Sequence, residues 1–255
     1  MRQVLAMVLF EIIAATVFVS LLSLVGIVLF LFAKKRMEGI LFFLVSFSAG
    51  TLLGAAFFDI LPEAVEGAAH PEGVFELAFF GLIFAFAVEK IVHWHHHHAG
   101  SAKEHHHPLG ALTLVGDGVH NFFDGVAIAA AFMVNAPLGI TTTIAIALHE
   151  IPQEIGDFGL LIYSGYSPAK ALAFNLLSAL AAVVGGVSFY LFSSSVGNVE
   201  SYALALTAGM FIYIASADLL PELHKEKRTH ASALQLLLLL AGAAAIWLVA
   251  RTMHG

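Results

Sequence analysis

The sequence predicts an all-α integral membrane protein, an eight-transmembrane-helix bundle with both termini outside. Three observations carry that expectation. Of the 255 residues, 60% are hydrophobic and only 11% charged, whereas an average soluble domain has roughly 45–50% apolar and about 25% charged residues. Apolar stretches recur at the length that a hydrocarbon core of ~30 Å demands. The basic residues sort onto one set of connections.

The spans expected from hydropathy are 4–33, 39–64, 73–94, 109–134, 137–164, 168–193, 200–223 and 232–253, within a single domain over 1–255. The first stretch, Val4 to Phe32, is too long for the ~7–15-residue core of a cleaved signal peptide, so it reads as a retained helix. Polar punctuation separates the spans: Ala33 to Arg36, Glu63 to Glu72, a histidine-rich loop over 93–108, the tight Asn135-Ala136-Pro137 turn, Ser164 to Pro168, Ser193 to Asn198, and His224 to His230. Lys34, Lys35, Arg36, Lys90, Lys103, Lys170, Lys225, Lys227 and Arg228 fall at one set of these connections. Only Arg2 and Arg251 fall at the other. The positive-inside rule then sets both termini outside and the histidine loop in the cytoplasm. One miscounted span would scramble this partition.

Composition also excludes. The formal charge is −7, with no basic stripe or arm, so nucleic acid is not an expected partner. Cysteine is absent. A metal site here must therefore use nitrogen and oxygen donors.

Such donors concentrate in the fourth and fifth spans. The fourth reads Gly116-Asp117-Gly118-Val119-His120-Asn121-Phe122-Phe123-Asp124-Gly125, and the fifth His149-Glu150-Ile151-Pro152-Gln153-Glu154-Ile155-Gly156-Asp157-Phe158. An ionisable group at the centre of a membrane helix costs on the order of 2.5–3.5 kcal/mol even on the gentlest scale. A divalent cation compensates that cost efficiently. His120 and Asp124 are one helical turn apart on one face; His149 and Gln153 repeat the spacing, with Glu150 and Glu154 as a neighbouring stripe. The short turn makes the two helices antiparallel neighbours. Imidazole nitrogens with oxygens from Asp124, Glu150 and Gln153 suit zinc or a similar first-row ion, and Asn121 with Glu150 offers a second metal position. Pro152 removes a backbone donor and frees the Leu148 carbonyl, which must line a cavity or find another partner. The competing reading is a hydrogen-bonded network that staples two helices; two histidines and several carboxylates in register favour metal.

These strings resemble the paired fourth- and fifth-helix signatures of the ZIP family of divalent metal transporters, in the branch with a His-Glu-x-Pro-x-Glu motif. The resemblance extends to the eight spans, the histidine-rich loop between spans three and four, and Leu-Pro-Glu closing span seven. It implies His120, Asp124, His149 and Gln153 around a primary ion, with Asn121 and Glu150 toward a second. It further implies zinc as the transported cation (with iron, manganese and cadmium as alternatives), no cofactor, inward transport across a plasma or bacterial inner membrane, a homodimer, and movement of spans one, four, five and six against the rest. Phe123 stands where many relatives have proline, and Gln153 where some have histidine. Ala182 stands where some bacterial relatives have a glutamate, so the second metal position loses a carboxylate.

Further metal or path residues are Glu154, Asp157, Asp117 and Asn175, with Ser178 beside Asn175. Asp59 and Asp218 lie in the echoing strings Asp59-Ile60-Leu61-Pro62-Glu63 and Asp218-Leu219-Leu220-Pro221-Glu222, where they read equally as path-lining or helix-terminal. His93, His95, His96, His97, His98, His105, His106 and His107 form the densest histidine cluster. It reads as a metal-capturing or sensing loop, against a solvated low-complexity loop or a tag. No Walker lysine loop is present, so ATP coupling within this chain is not expected. His149 to Gln153 falls one residue short of the His-Glu-x-x-His signature of zinc hydrolases. A membrane-embedded hydrolase and a metal sensor therefore stand as the rival readings.

Overall fold

The computed structural model describes residues 2–30, 34–98, 107–196 and 199–254. All regular structure among them is helical. Helix α1 (Arg2–Leu21) tightens into a 3-10 stretch, Leu22–Phe30. Helix α2 (Lys34–Ala55) passes through a π turn, Ala56–Ile60, into α3 (Leu61–Gly67). Next come α4 (Pro71–His98), α5 (His107–Val134) and α6 (Ala136–Tyr163). Helices α7 (Pro168–Ala179) and α8 (Ala181–Val196) flank Leu180. Helix α9 (Glu200–Ile214) runs through a second π turn, Ala215–Leu219, into α10 (Leu220–His224), and α11 (Thr229–His254) ends the chain.

The exterior is apolar where that of a protein in water is polar, although the core is apolar too. Phe10 is 70% and Leu237 64% exposed, while Glu150 is fully buried; such an apolar exterior fits lipid as the solvent. Among the described residues, five helical stretches are long and apolar enough to cross a membrane: Leu5–Ile27, Gly39–Gly67, Pro168–Ser193, Glu200–His224 and Thr229–Thr252. Helices α5 and α6 carry the ionisable residues, which lowers their hydropathy. Both are largely enclosed by the other helices.

Local chemistry explains the irregular points. Asn135 alone links α5 to α6, its Oδ1 accepting from the Leu138 N–H at 2.8 Å as an N-cap, with Pro137 in the first turn. That cap makes the hairpin tight. Both π turns directly precede a Leu-Pro pair. The Leu61 N–H donates to the Ala56 carbonyl and the Leu220 N–H to the Ala215 carbonyl, five residues back in each case. The wider turn accommodates the missing N–H of Pro62 and of Pro221. The two echoing strings thus share their local backbone as well as their residues.

The helices pack in two groups. In one, α2 lies along α11 and α4 along α9; in the other, α5 lies along α8, and α1 with its 3-10 stretch along α6 and α8. Within each group, backbones touch at glycines. A Cβ on Gly50 would lie 1.9 Å from the Leu239 carbonyl oxygen, on Gly209 1.8 Å from that of Ala78, and on Gly125 1.9 Å from that of Ala182. Close contacts of this kind among the described residues join helices of the same group. Side chains fill the seam between the groups, with hydrogen bonds from Thr141 to Asp59 and from Asn135 Nδ2 to Glu63 Oε1 (3.0 Å) on one half of it. On the connection after α10, the Arg228 guanidinium donates to Glu226 and holds that half-buried carboxyl well below its usual range, at about 2.

The close glycine contacts give a stability prediction. Gly125→Ala forces α5 from α8 and is expected to lower unfolding free energy by about 1–3 kcal/mol, as overpacking does, measured by denaturant titration in detergent. Gly73→Ala, with nothing within 4 Å of the added carbon, is expected to be neutral or stabilising.

Candidate metal centre

Midway along α5 and α6, four donors converge. His120 Nε2 lies 3.6 Å from Asp124 Oδ2 and 3.2 Å from Glu150 Oε1. His149 Nε2 lies 3.4 Å from each of the same two oxygens. The two Nε2 atoms are 3.3 Å apart. One donor atom from each of the four residues falls within 4.8 Å of all the others. A tetrahedral zinc ion bound at ~2.0–2.2 Å separates its donors by ~3.3–3.6 Å. The five separations that involve a histidine nitrogen, 3.2–3.6 Å, match edges of that tetrahedron.

The arrangement is prepared for a cation in two further ways. His149 Nδ1 faces the Ala145 carbonyl oxygen at 3.2 Å. A carbonyl only accepts, so Nδ1 carries the proton and Nε2 presents its lone pair to the centre. Among the described residues, Asp124 Oδ2 and both carboxylate oxygens of Glu150 are buried without a hydrogen-bond partner, a state that buried polar oxygens avoid unless something else satisfies them. Phe211 packs edge-on against His149 with ring centroids 6.1 Å apart and walls one side.

Pro152 lies inside α6, where it removes one backbone donor. The Leu148 carbonyl that it deprives is taken by the Ser48 hydroxyl of α2, which donates to it at 2.6 Å. The freed group therefore finds a partner across the seam, a residue that the sequence reading did not identify. Its only sequence signal is a serine that opens the small-residue run Ser48 to Thr51.

A cavity of about 700 Å³ adjoins the centre. It is lined by His120 and His149, then by Asp117, Gln153 and Asp157, and further out by Glu89, Tyr213, Asp218 and Glu222. It occupies the half of the bundle that holds the start of α5 and the ends of α4, α6 and α10. Glu89, Tyr213 and Glu222 are lining residues that sequence reasoning missed; nothing but helical position marks them. Tyr213 donates its hydroxyl to Glu89.

The remaining expected residues are placed as follows. Asn121 and Gln153 both donate through their amides to Asp117, at 2.9 and 3.3 Å. Glu150, which the resemblance sets toward a second ion, lies within reach of both histidines. Glu154 is buried away from the cavity and accepts from Asn175. Asp59 is buried at the seam. His93, His95, His96, His97 and His98 extend α4, and His107 opens α5. The side chains of these histidines, and His105 and His106 altogether, lie outside the described residues.

The fold and the site define a helical membrane protein with a buried two-histidine, two-carboxylate cluster, a donor set that could hold a metal ion, beside a cavity. The family model for ZIP zinc transporters matches residues 8–113 and 108–250, and the chain belongs to that family. It is 47% identical over 120 residues to zinc transporter ZIP10 of Danio rerio, covering 47% of this chain and 14% of that one. Identity to zinc transporter ZIP6 of Homo sapiens is 40% over 123 residues, 48% of this chain and 16% of that one. Identity to zinc transporter zipt-7.2 of Caenorhabditis elegans is 40% over 144 residues, 54% and 31% respectively. The matches thus cover less than a third of the length of these relatives.

Ser48→Ala removes the hydroxyl from the buried Leu148 carbonyl and is expected to lower stability by about 1–3 kcal/mol. Ser46→Ala, which removes only a bond to its own helix at Phe42, is the control and is expected to change little. Denaturant titration in detergent reads both.

Proposed function

We propose that this chain carries zinc, or a similar divalent ion, across a membrane toward the cytoplasm. The observation that carries the reading is the convergence of His120, Asp124, His149 and Glu150 on one point beside a cavity. Four donors at tetrahedral spacing bind a divalent cation; an adjoining cavity gives it somewhere to go. The zinc transporters among the relatives support transport and zinc. Imidazole and carboxylate donors also accept iron, manganese and cadmium, so geometry alone does not select zinc.

In this reading the chain crosses the bilayer eight times, with α4, α5 and α6 spanning beside the five more apolar stretches. Both termini lie outside, because the basic residues fall at the connections on the cavity's side. The cavity then faces the cytoplasm. The hydrogen bonds of Asp59 and Glu63 to α6 close the opposite half. Transport requires the centre to open alternately to each side. The two helix groups, locked internally by glycine contacts and joined to each other by side chains, are suited to such movement. Protonation of a carboxylate from the cytoplasm would weaken the ion's hold and release it. The histidine-rich loop, next to the cavity's side in sequence, would collect ions there, and a homodimer is carried over on the family resemblance. An enzyme is disfavoured, because Gln153 replaces the second histidine that a zinc hydrolase needs.

Purified protein reconstituted in liposomes is expected to give saturable zinc and cadmium influx, read by an internal indicator. The His120→Ala, His149→Ala double variant is expected to lose it. Tight binding with no flux in intact, oriented vesicles contradicts the proposal and favours a sensor.

A further inference from the structure

Asp117 lies one turn from His120 on the cavity side of the centre, and it is not one of the four converging donors. Its carboxylate is nonetheless fully engaged. Oδ2 accepts from the Ser178 hydroxyl of α7 at 2.5 Å. Oδ1 accepts from Asn121 Nδ2 of α5 at 2.9 Å and from Gln153 Nε2 of α6 at 3.3 Å. One carboxylate thus gathers three helices, and two of its partners are carboxamides that the sequence marks as ion-facing.

The orientation of those amides follows from hydrogen-bond chemistry. A carboxamide has a donating NH2 end and an accepting oxygen end. Asn121 turns one end toward both Asp117 Oδ1 and the Asp117 backbone carbonyl, at 3.1 Å. Both are acceptors only, so that end must be the NH2. The Asn121 oxygen then points away, buried and without a hydrogen-bond partner. Gln153, on the cavity wall, is turned by the same carboxylate.

We infer that Asp117 is a positioning residue, whose carboxylate orients the amides of Asn121 and Gln153 so that their oxygens stay free to accept a metal ion. Without this carboxylate, Gln153 is free to rotate and present its NH2 group, which repels a cation, and Asn121 is held by the Asp117 backbone carbonyl alone. The inference rests on the reading of the neighbouring cluster as a metal centre. It separates orientation from two other roles for Asp117, direct ligation and charge compensation. Only orientation is preserved by an uncharged acceptor. In Asp117→Asn, the oxygen still accepts from both amides, and the new NH2 faces the Ser178 hydroxyl, which can accept while donating to the Asn175 carbonyl at 3.0 Å.

The test is Co²⁺ binding to the purified full chain in detergent, followed by visible absorption, which reports both affinity and coordination. Asp117→Ala is expected to weaken binding roughly 10–100-fold, as loss of an outer-shell partner does, and to alter the band shape. Asp117→Asn is expected to stay within a few-fold of the parent with an unchanged band. In an Asn121→Ala, Gln153→Ala background, adding Asp117→Ala is expected to cause no further loss. The inference is overturned if Asp117→Asn loses as much as Asp117→Ala, if Asp117→Ala binds like the parent, or if its loss multiplies in that background. The isosteric Asp117→Asn variant keeps every partner, so a loss of binding there overturns the inference by itself; where Asp117→Ala does not purify, Asp117→Leu, which fills the space without an acceptor, takes its place. A parent protein that binds no Co²⁺ overturns the metal-centre reading itself, whereas parent binding that ignores position 117 overturns only this inference.

Discussion

The convergence of two imidazoles and two carboxylates on a single point inside an apolar bundle is the constraint on which the rest of the structure depends. Buried carboxylates in a low-dielectric interior are unfavourable unless opposite charge or hydrogen bonds answer them. The ion pairs of Asp124 and Glu150 among the described residues are with His120 and His149, not with lysine or arginine. Only a proton or a metal can complete that balance. The oxygens without hydrogen-bond partners and the Nε2 lone pair of His149 are what a bound cation would use.

Holding such a cluster in place makes demands on the helices around it. Asn135 and Pro137 make the α5–α6 hairpin tight enough to bring its middle portions together. Pro152 removes one hydrogen bond from α6 about one turn beyond His149, and Ser48 answers the backbone group left over. Glycine contacts bind the outer helices into two groups, so that the seam running past the centre is made of side chains. One half of that seam carries the hydrogen bonds of Asp59 and Glu63, and the other carries the cavity beside the centre.

Much of this was legible in the sequence because it is local. The spacing of His120 to Asp124 and the adjacency of His149 and Glu150 place donors on defined helix faces, and Asn-x-Pro is a helix-start signal. Spans read from hydropathy agree closely with the helices. Other features were not legible, because they depend on which helices meet. Nothing local connects Ser48 to Leu148, a hundred residues away, or Thr141 to Asp59. Asp117 stood out as an ionisable residue in a membrane span, but its engagement by three helices appears only in three dimensions. The break at Leu180 and the 3-10 stretch after Leu21 lack proline, and hydropathy alone predicts continuous helix through both. Both lie where side chains tap the backbone: Ser20 donates to the Ala179 carbonyl and Ser23 to that of Ser20.

The most direct test of the central claim is zinc K-edge absorption on the purified, zinc-loaded chain. The account predicts a mixed shell of about four nitrogen and oxygen donors at ~2.0–2.2 Å, with an imidazole scattering pattern that is lost in the His120→Ala, His149→Ala variant. A spectrum of fully hydrated zinc, or one that the double variant leaves unchanged, would contradict it.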